Sequence, residues 1–97
     1  MAVFAVIYRY VDRADEVAEH RPAHREYLRT LLGSPGLVAA GRADGGDQPS
    51  GVLLFHADSP EEVIPLLDGD PFWTLGLIEK REIMEWTVAL GSIGLDD

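Results

Sequence analysis

The sequence predicts an α+β fold in which two helices cover one face of a four-stranded antiparallel sheet. The observations behind it are short runs of β-branched and aromatic residues, amphipathic segments of helical period, and the order in which the two alternate. That order is strand, helix, strand, strand, helix, strand, the ferredoxin-like βαββαβ arrangement. Because no repeat or linker interrupts the 97 residues, we expect residues 1–97 to form a single domain.

The first half of the chain predicts one strand and the main helix. Val3 to Tyr10 is β-branched and aromatic with a single charge, which indicates a strand that is apolar on both faces. Asp12 to Glu19 is acidic and is interpreted as a connection, with a turn of helix within it as the alternative. Pro22 fits the first turn of the main helix, where the missing N–H of proline costs little, and Gly33 to Gly36 ends that helix.

The second half predicts three further strands and a second helix. Residues 37–41 and 52–57 form two strands joined by a flexible loop. Ser59 is expected to cap the second helix, with Glu62 completing a capping box. The last strand is expected between Ile78 and Val88.

The first and third strands are apolar on both faces, yet two helices can cover only one face of the sheet. The other face therefore needs a cover that one copy of the chain does not supply. A second copy, packed sheet against sheet in a two-fold dimer, meets that need. The sequence thus predicts a homodimer through the sheet faces.

Composition excludes several classes of function. The formal net charge of −9 argues against nucleic acid, whose phosphates require a basic face. With no cysteine, the chain has neither disulfides nor thiolate chemistry. No apolar run approaches the roughly 20 residues of a membrane span, and the first residues lack the basic region of a signal peptide. We therefore expect a cytoplasmic protein that does not bind membranes.

His24 is the most informative residue, since it lies near the middle of the apolar stripe that Leu28 and Leu31 help to form. Burying its ring without a partner costs about 1–3 kcal/mol. Asp70 is the best candidate partner, because it follows the second helix at a point where Gly69 allows a sharp turn. A carboxylate beside an imidazole is the arrangement that general acid–base catalysis uses.

Plainer interpretations stay open for these residues. The alternative for His24 is a core or interface histidine whose ring nitrogens are hydrogen-bonded without any catalytic role. The alternative for Asp70 is a helix cap, because an aspartate before a proline commonly caps a helix. His20 precedes His24 by four residues, the spacing of two metal ligands on a helix, but without further ligands we predict no metal site. The roles of His20 and His56 stay open, with a surface or interface position favoured for His56.

Three more residues are candidates for ligand binding. Arg21 lies close to His24 and is suited to hold an oxyanion or a carboxylate. Tyr8 and Phe72 are aromatic residues suited to line a small apolar pocket, with core packing as the alternative.

Short segments that match one known family in order and spacing lie along almost the whole chain. They are Phe4–Tyr8, Arg21–His24 with Tyr27–Leu28, Leu37–Gly41, Leu53–Phe55 with Ala57–Ser59, Asp70–Phe72 and Glu85–Trp86. On these segments the chain resembles the YCII-related, or YciI-like, family of small dimeric proteins. The resemblance implies a dimeric α+β barrel and an active site built on a His–Asp pair, which maps onto His24 and Asp70. The family is also similar to a dehydrochlorinase that acts on a chlorinated hydroxyquinol. The sequence departs from the family pattern at His56, where an acidic residue is common, and in the loop at residues 43–50.

The resulting hypothesis is an enzyme that needs no cofactor, an isomerase, a lyase or a dehydrochlorinase-like protein. His24, oriented by Asp70, would move a proton on a small cyclic or aromatic metabolite. The alternative is a non-catalytic dimer that binds a small ligand or has a regulatory role. A third possibility is that the pair is purely structural.

Overall fold

The chain alternates strands and helices in the predicted order, and the short helical turn that Asp70 and Pro71 predict before the last strand is present. A computed structural model describes residues 1–94; residues 95–97, the end of the predicted domain, lie outside it. The strands are antiparallel in the order β2-β3-β1-β4, which confirms the ferredoxin-like α+β fold. The elements are β1 (Ala2–Tyr10), α1 (Ala14–Arg29), β2 (Gly36–Ala43), β3 (Ser50–Ala57), α2 (Pro60–Asp68), α3 (Pro71–Thr74) and β4 (Ile78–Glu85).

The sheet has one buried face and one open face. Along β1 the fully buried residues alternate with half-buried ones, as the two-residue period of a strand requires. Val6 is opposite Leu53 of β3 and Ile83 of β4, and its side chain is completely buried. From α2, Val63 and Leu67 are also fully buried, each contributing about 1.5–3 kcal/mol relative to an exposed side chain. The helices therefore seal one side of the sheet.

Helix α1 begins earlier than the sequence analysis predicted. It starts at Ala14, so Pro22 lies inside the helix and not in its first turn. A proline in a helix interior removes one backbone hydrogen bond, but burial of Val17, five residues before Pro22, stabilises the added segment. Asp15 and Glu16 in the first turn also favour a helix start there. His24 is consequently far from the positive end of the helix.

Two further details differ from the expectation. Strand β2 runs beyond the predicted residues 37–41 at both ends. The Ser59 side chain makes no capping hydrogen bond; the backbone N–H of Asp58 donates instead to Glu62 Oε2, at 3.0 Å. The prediction of a capping box is therefore wrong, although α2 begins at Pro60 as predicted. Among the residues described, no helix is long and apolar enough to cross a membrane.

Candidate active site

His24 and Asp70 form a buried pair. The Nδ1 atom of His24 lies 2.9 Å from both carboxylate oxygens of Asp70. The side chain of Asp70 has no exposed surface, and that of His24 is 10% exposed. Because a carboxylate only accepts hydrogen bonds, Nδ1 carries the proton and the neutral ring leaves Nε2 free to accept one.

Asp70 is held by two more donors. The hydroxyl of Tyr8 donates to Oδ2 at 3.1 Å, and the backbone N–H of Phe72 donates to Oδ1 at 3.0 Å. The second bond makes Asp70 the N-cap of α3, as expected for an aspartate before a proline. The carboxylate thus accepts hydrogen bonds from β1, from α1 and from the first turn of α3, so it needs no water although it is buried.

A close approach between α1 and the corner after α2 brings the pair together. Tyr27, three residues after His24, donates its hydroxyl to the carbonyl oxygen of Leu66 at 2.7 Å. Gly69 lies directly against the Tyr27 ring, so that a Cβ atom there would overlap the hydroxyl. The absence of a side chain at Gly69 thus permits this close contact with Tyr27, whereas its backbone is ordinary right-handed helical and needs no glycine for the turn.

Aromatic rings enclose the imidazole. The ring of Phe72 stacks on that of His24, with centroids 4.0 Å apart and planes inclined by 7°. Burial, with the charge of Asp70 and the hydrogen bond to it, raises the pKa of Tyr8 far above its ordinary value. Tyr8 therefore stays a protonated donor throughout the neutral range.

Tyr8 and Phe72 do not lie in the wall of the pocket, where the sequence predicted them. Tyr8 and Phe72 are both completely buried, and neither lines the cavity beside His24. Because β1 is apolar on both faces, the sequence does not show that Tyr8 faces the helices. In the structure the two residues contact the His24–Asp70 pair, one by a hydrogen bond and one by stacking.

A cavity of about 150 Å³ opens beside His24. Arg21, the third ligand-binding candidate, lines it, as does Arg25 one turn further along α1. Within residues 1–94, no side chain hydrogen-bonds to His24 Nε2, which is also not sealed from solvent. The free nitrogen therefore has access to a molecule in the cavity.

Two polar residues of the cavity besides Arg25 were not predicted from the sequence. Tyr10, on the same side of β1 as Tyr8, lines the cavity, and Arg42 approaches it from β2. The two-residue period of β1 was a signal that could have identified Tyr10. Nothing local indicates Arg42, because its position depends on the pairing of β2 with β3.

The remaining histidines lie elsewhere. His20 Nε2 is 3.9 Å from Glu19, and over the described part of the chain no three His, Asp or Glu side chains group as metal ligands. His56 is 9% exposed, and its Nδ1 is 2.6 Å from the hydroxyl of Ser34. A larger cavity, of about 350 Å³, lies between the first residues and those after β4, and among the described residues that line it Glu85 alone has an ionisable side chain. The His24 cavity is therefore the better candidate for chemistry.

Solved structures similar to this chain include small-molecule enzymes. The 5-chloro-2-hydroxyhydroquinone dehydrochlorinase TftG from Burkholderia phenoliruptrix, solved with 2,5-dihydroxybenzoquinone, has a TM-score of 0.74 at 22% identity, over 88% of this chain and 93% of that chain. SnoaB, a cofactor-independent oxygenase from Streptomyces nogalater, has a TM-score of 0.54 at 11% identity, over 93% and 94%. An uncharacterized NIPSNAP domain protein from Burkholderia xenovorans has a TM-score of 0.56 at 17% identity, over 92% and 95%. At these identities the likeness shows a shared fold.

At the level of sequence, none of the curated proteins compared with the chain matches it. The family comparison is positive, and it covers β1 through the end of β4. The model of the YCII-related domain matches residues 1–87, and the chain therefore belongs to the YCII-related family.

Proposed function

We propose that the protein is a cofactor-independent enzyme that moves a proton on a small cyclic or aromatic metabolite. His24 is the general base and Asp70 the residue that orients it and stabilises its protonated form. The observation that carries this proposal is the ring itself: Nδ1 is fixed by a fully buried carboxylate, while Nε2 is free beside a cavity. A base placed in this way contributes about 10²–10⁴-fold to proton transfer.

The reaction fits either isomerisation or elimination. Nε2 takes a proton from a carbon next to a carbonyl group, and the electron pair of the C–H bond moves into the enolate. In an isomerisation, the imidazolium returns the proton to a different carbon. In an elimination, a group on the adjacent carbon departs with its bonding electrons. The similarity in fold to a dehydrochlorinase supports the second possibility.

Deuterium exchange tests the base directly. The protein is incubated in D₂O with a panel of cyclic ketones, lactones and hydroxyquinones, and loss of C–H signals is followed by NMR. We expect His24→Gln to lower the exchange rate at least about 100-fold. His20→Gln, one turn earlier on α1, is the matched control and should leave the rate unchanged. Equal rates for the wild type and His24→Gln would contradict the proposal, and saturable binding without exchange would favour the non-catalytic ligand-binding dimer.

We also propose that two copies pair through the open faces of their sheets. Val3, Ala5 and Ile7 of β1 are half-buried there, and Val52 and Leu54 continue the apolar surface on β3. The helices cover only the opposite face, so this central aliphatic surface suits a second identical sheet.

Light scattering after size-exclusion chromatography tests this pairing. We expect a dimer for the wild type and a monomer for Ile7→Asp, which places a charge at the centre of the open face. Ile64→Asp, on the exposed side of α2, is the control and should stay dimeric. A monomeric wild type, or a dimeric Ile7→Asp protein, would show that the sheet faces do not pair.

A further inference from the structure

We propose that the cavity beside His24 is an anion site, and that the substrate class is a cyclic or aromatic carboxylate whose carboxylate group lies between Arg21 and Arg42, with Arg25 at the rim. The proposal deepens the proposed function, since turnover of such a substrate rests on His24. Binding of the anion does not depend on turnover and is tested separately.

Positive charge is concentrated at this cavity in an acidic protein. The chain has 8 Lys and Arg residues against 17 Asp and Glu residues. Arg21 and Arg25 of α1 and Arg42 of β2 nevertheless all line the same cavity. Within the described residues, Arg21 and Arg25 have no carboxylate within 4.0 Å, and Arg42 has only a loose contact with Asp44, at 3.9 Å. The cluster thus lacks the counter-charges that pair its neighbours on α1.

The hydroxyl of Tyr10 adds a hydrogen-bond donor to this cavity. Tyr10 is 5% exposed, and no group in residues 1–94 hydrogen-bonds to its hydroxyl, which is not sealed from solvent. Burial raises the pKa of Tyr10, while the positive charges of Arg21 and Arg42 oppose that rise. The protonated phenol is therefore a donor without an acceptor in the protein. An anion in the cavity would supply the acceptor.

Geometry and size favour a carboxylate on a small ring. Guanidinium groups bind planar carboxylates through paired hydrogen bonds, and Asp70 is already held by three donors of its own. A cavity of about 150 Å³ is the size that takes a benzene ring. A second cavity, of about 190 Å³, shares Tyr10, Arg21 and Arg42 and leaves room for a substituent. A nucleotide would need considerably more space.

Anchoring the carboxylate would also define the reacting carbon. Arg21 precedes His24 by three residues on α1, so the two side chains are neighbours on the helix surface. A ring held by its carboxylate at Arg21 therefore presents a nearby C–H bond to His24 Nε2. This places Arg21 and Arg42 as determinants of substrate choice.

Titration calorimetry with benzoate and its neutral isostere benzamide tests the site. For the wild-type protein we expect benzoate to bind at least about tenfold more tightly than benzamide, with affinity falling as salt rises. Arg21→Gln and Arg42→Gln should each weaken benzoate about tenfold and leave benzamide unchanged. Arg29→Gln is the matched control on α1, because Arg29 is exposed and bonded to Glu26, and it should bind as the wild type does.

Three outcomes overturn the carboxylate site. They are equal affinity for benzoate and benzamide, absence of saturable benzoate binding at millimolar concentration, and tighter binding of inorganic phosphate than of benzoate, which would favour a phosphate ester. Thermal unfolding of each arginine variant checks that a lost affinity is not lost folding. The wild-type protein separates the two proposals: if proton exchange is absent while benzoate binds, the proposed function fails and the anion site stands.

Discussion

Replacement of Tyr8 by phenylalanine tests how the buried carboxylate is held. The change removes only the hydroxyl that donates to Asp70 Oδ2 at 3.1 Å. A hydrogen bond to a charged group contributes about 1.5–3 kcal/mol, so Tyr8→Phe should lower the free energy of unfolding at pH 8 by that amount. This loss of stability should become smaller at alkaline pH, because the pKa of Tyr8 is raised in the folded protein.

In the unfolded chain Tyr8 loses its proton near pH 10, whereas in the folded protein it keeps the proton to much higher pH. The folded pKa is raised, so its stabilising contribution is complete below about pH 10 and is lost as the pH rises above that value. For one such group the loss is about 1.4 kcal/mol by pH 11. Because phenylalanine does not titrate, Tyr8→Phe does not undergo this loss. The difference in free energy of unfolding between the wild type and Tyr8→Phe should therefore decrease by about 1.4 kcal/mol between pH 8 and pH 11.

Urea unfolding at a fixed protomer concentration, from pH 8 to pH 11, measures both quantities. Tyr10→Phe serves as a comparison, because the pKa of Tyr10 is also raised by burial but its hydroxyl does not bind Asp70. The stability difference between Tyr10→Phe and the wild type should also become smaller at alkaline pH, from a smaller loss at pH 8. A Tyr8→Phe difference that is constant across this pH range would refute the reasoning.

Three further substitutions probe the packing around the site. Gly69→Ala should lower the free energy of unfolding in urea by about 1–3 kcal/mol, because the added methyl group overlaps the hydroxyl of Tyr27. Adding Tyr27→Phe should recover part of that stability, and strictly additive losses in the double variant would argue against the overlap. Phe72→Leu removes the ring stacked on His24 and should cost about 1–2 kcal/mol, so an unchanged urea midpoint would count against the stacking. Asp70→Asn should slow proton exchange about 10²–10⁴-fold with His24 intact, and an unchanged rate would remove Asp70 from the proposal.

The order and type of the elements were predictable from the sequence because the strands are runs of β-branched and aromatic residues and the helices have apolar residues at helical spacing. The approach of Asp70 to His24 was predictable as well, since the topology places the two helices side by side and the Asp–Pro pair indicated a cap. The start of α1 was not predictable, because Pro22 indicates a helix start in the sequence, whereas burial of Val17 extends the helix past it.

The composition of the cavity was less predictable. Tyr8 has apolar neighbours on both faces of β1, so only the packing of the helices decides which face is sealed. Arg25 is on a helix flank that looks solvated in sequence, and Arg42 is in β2, which meets α1 only through the folded sheet. Convergence of residues that are distant in the chain depends on strand register, and register is set by the whole sheet.

The carboxylate of Asp70 has two roles, and these link the orientation of the His24 ring to the short helix α3. The same side chain begins α3 and fixes the tautomer of His24. Helix α3 spans only Pro71–Thr74 and has few hydrogen bonds of its own, so burial of Phe72 is what stabilises this corner. Opening of the corner would separate the imidazole from its partner while β1 and β3 stayed paired. If His24 acts as the base that we propose, the fraction of molecules competent for proton transfer depends on the local stability of that corner, and amide exchange at Phe72 reports it.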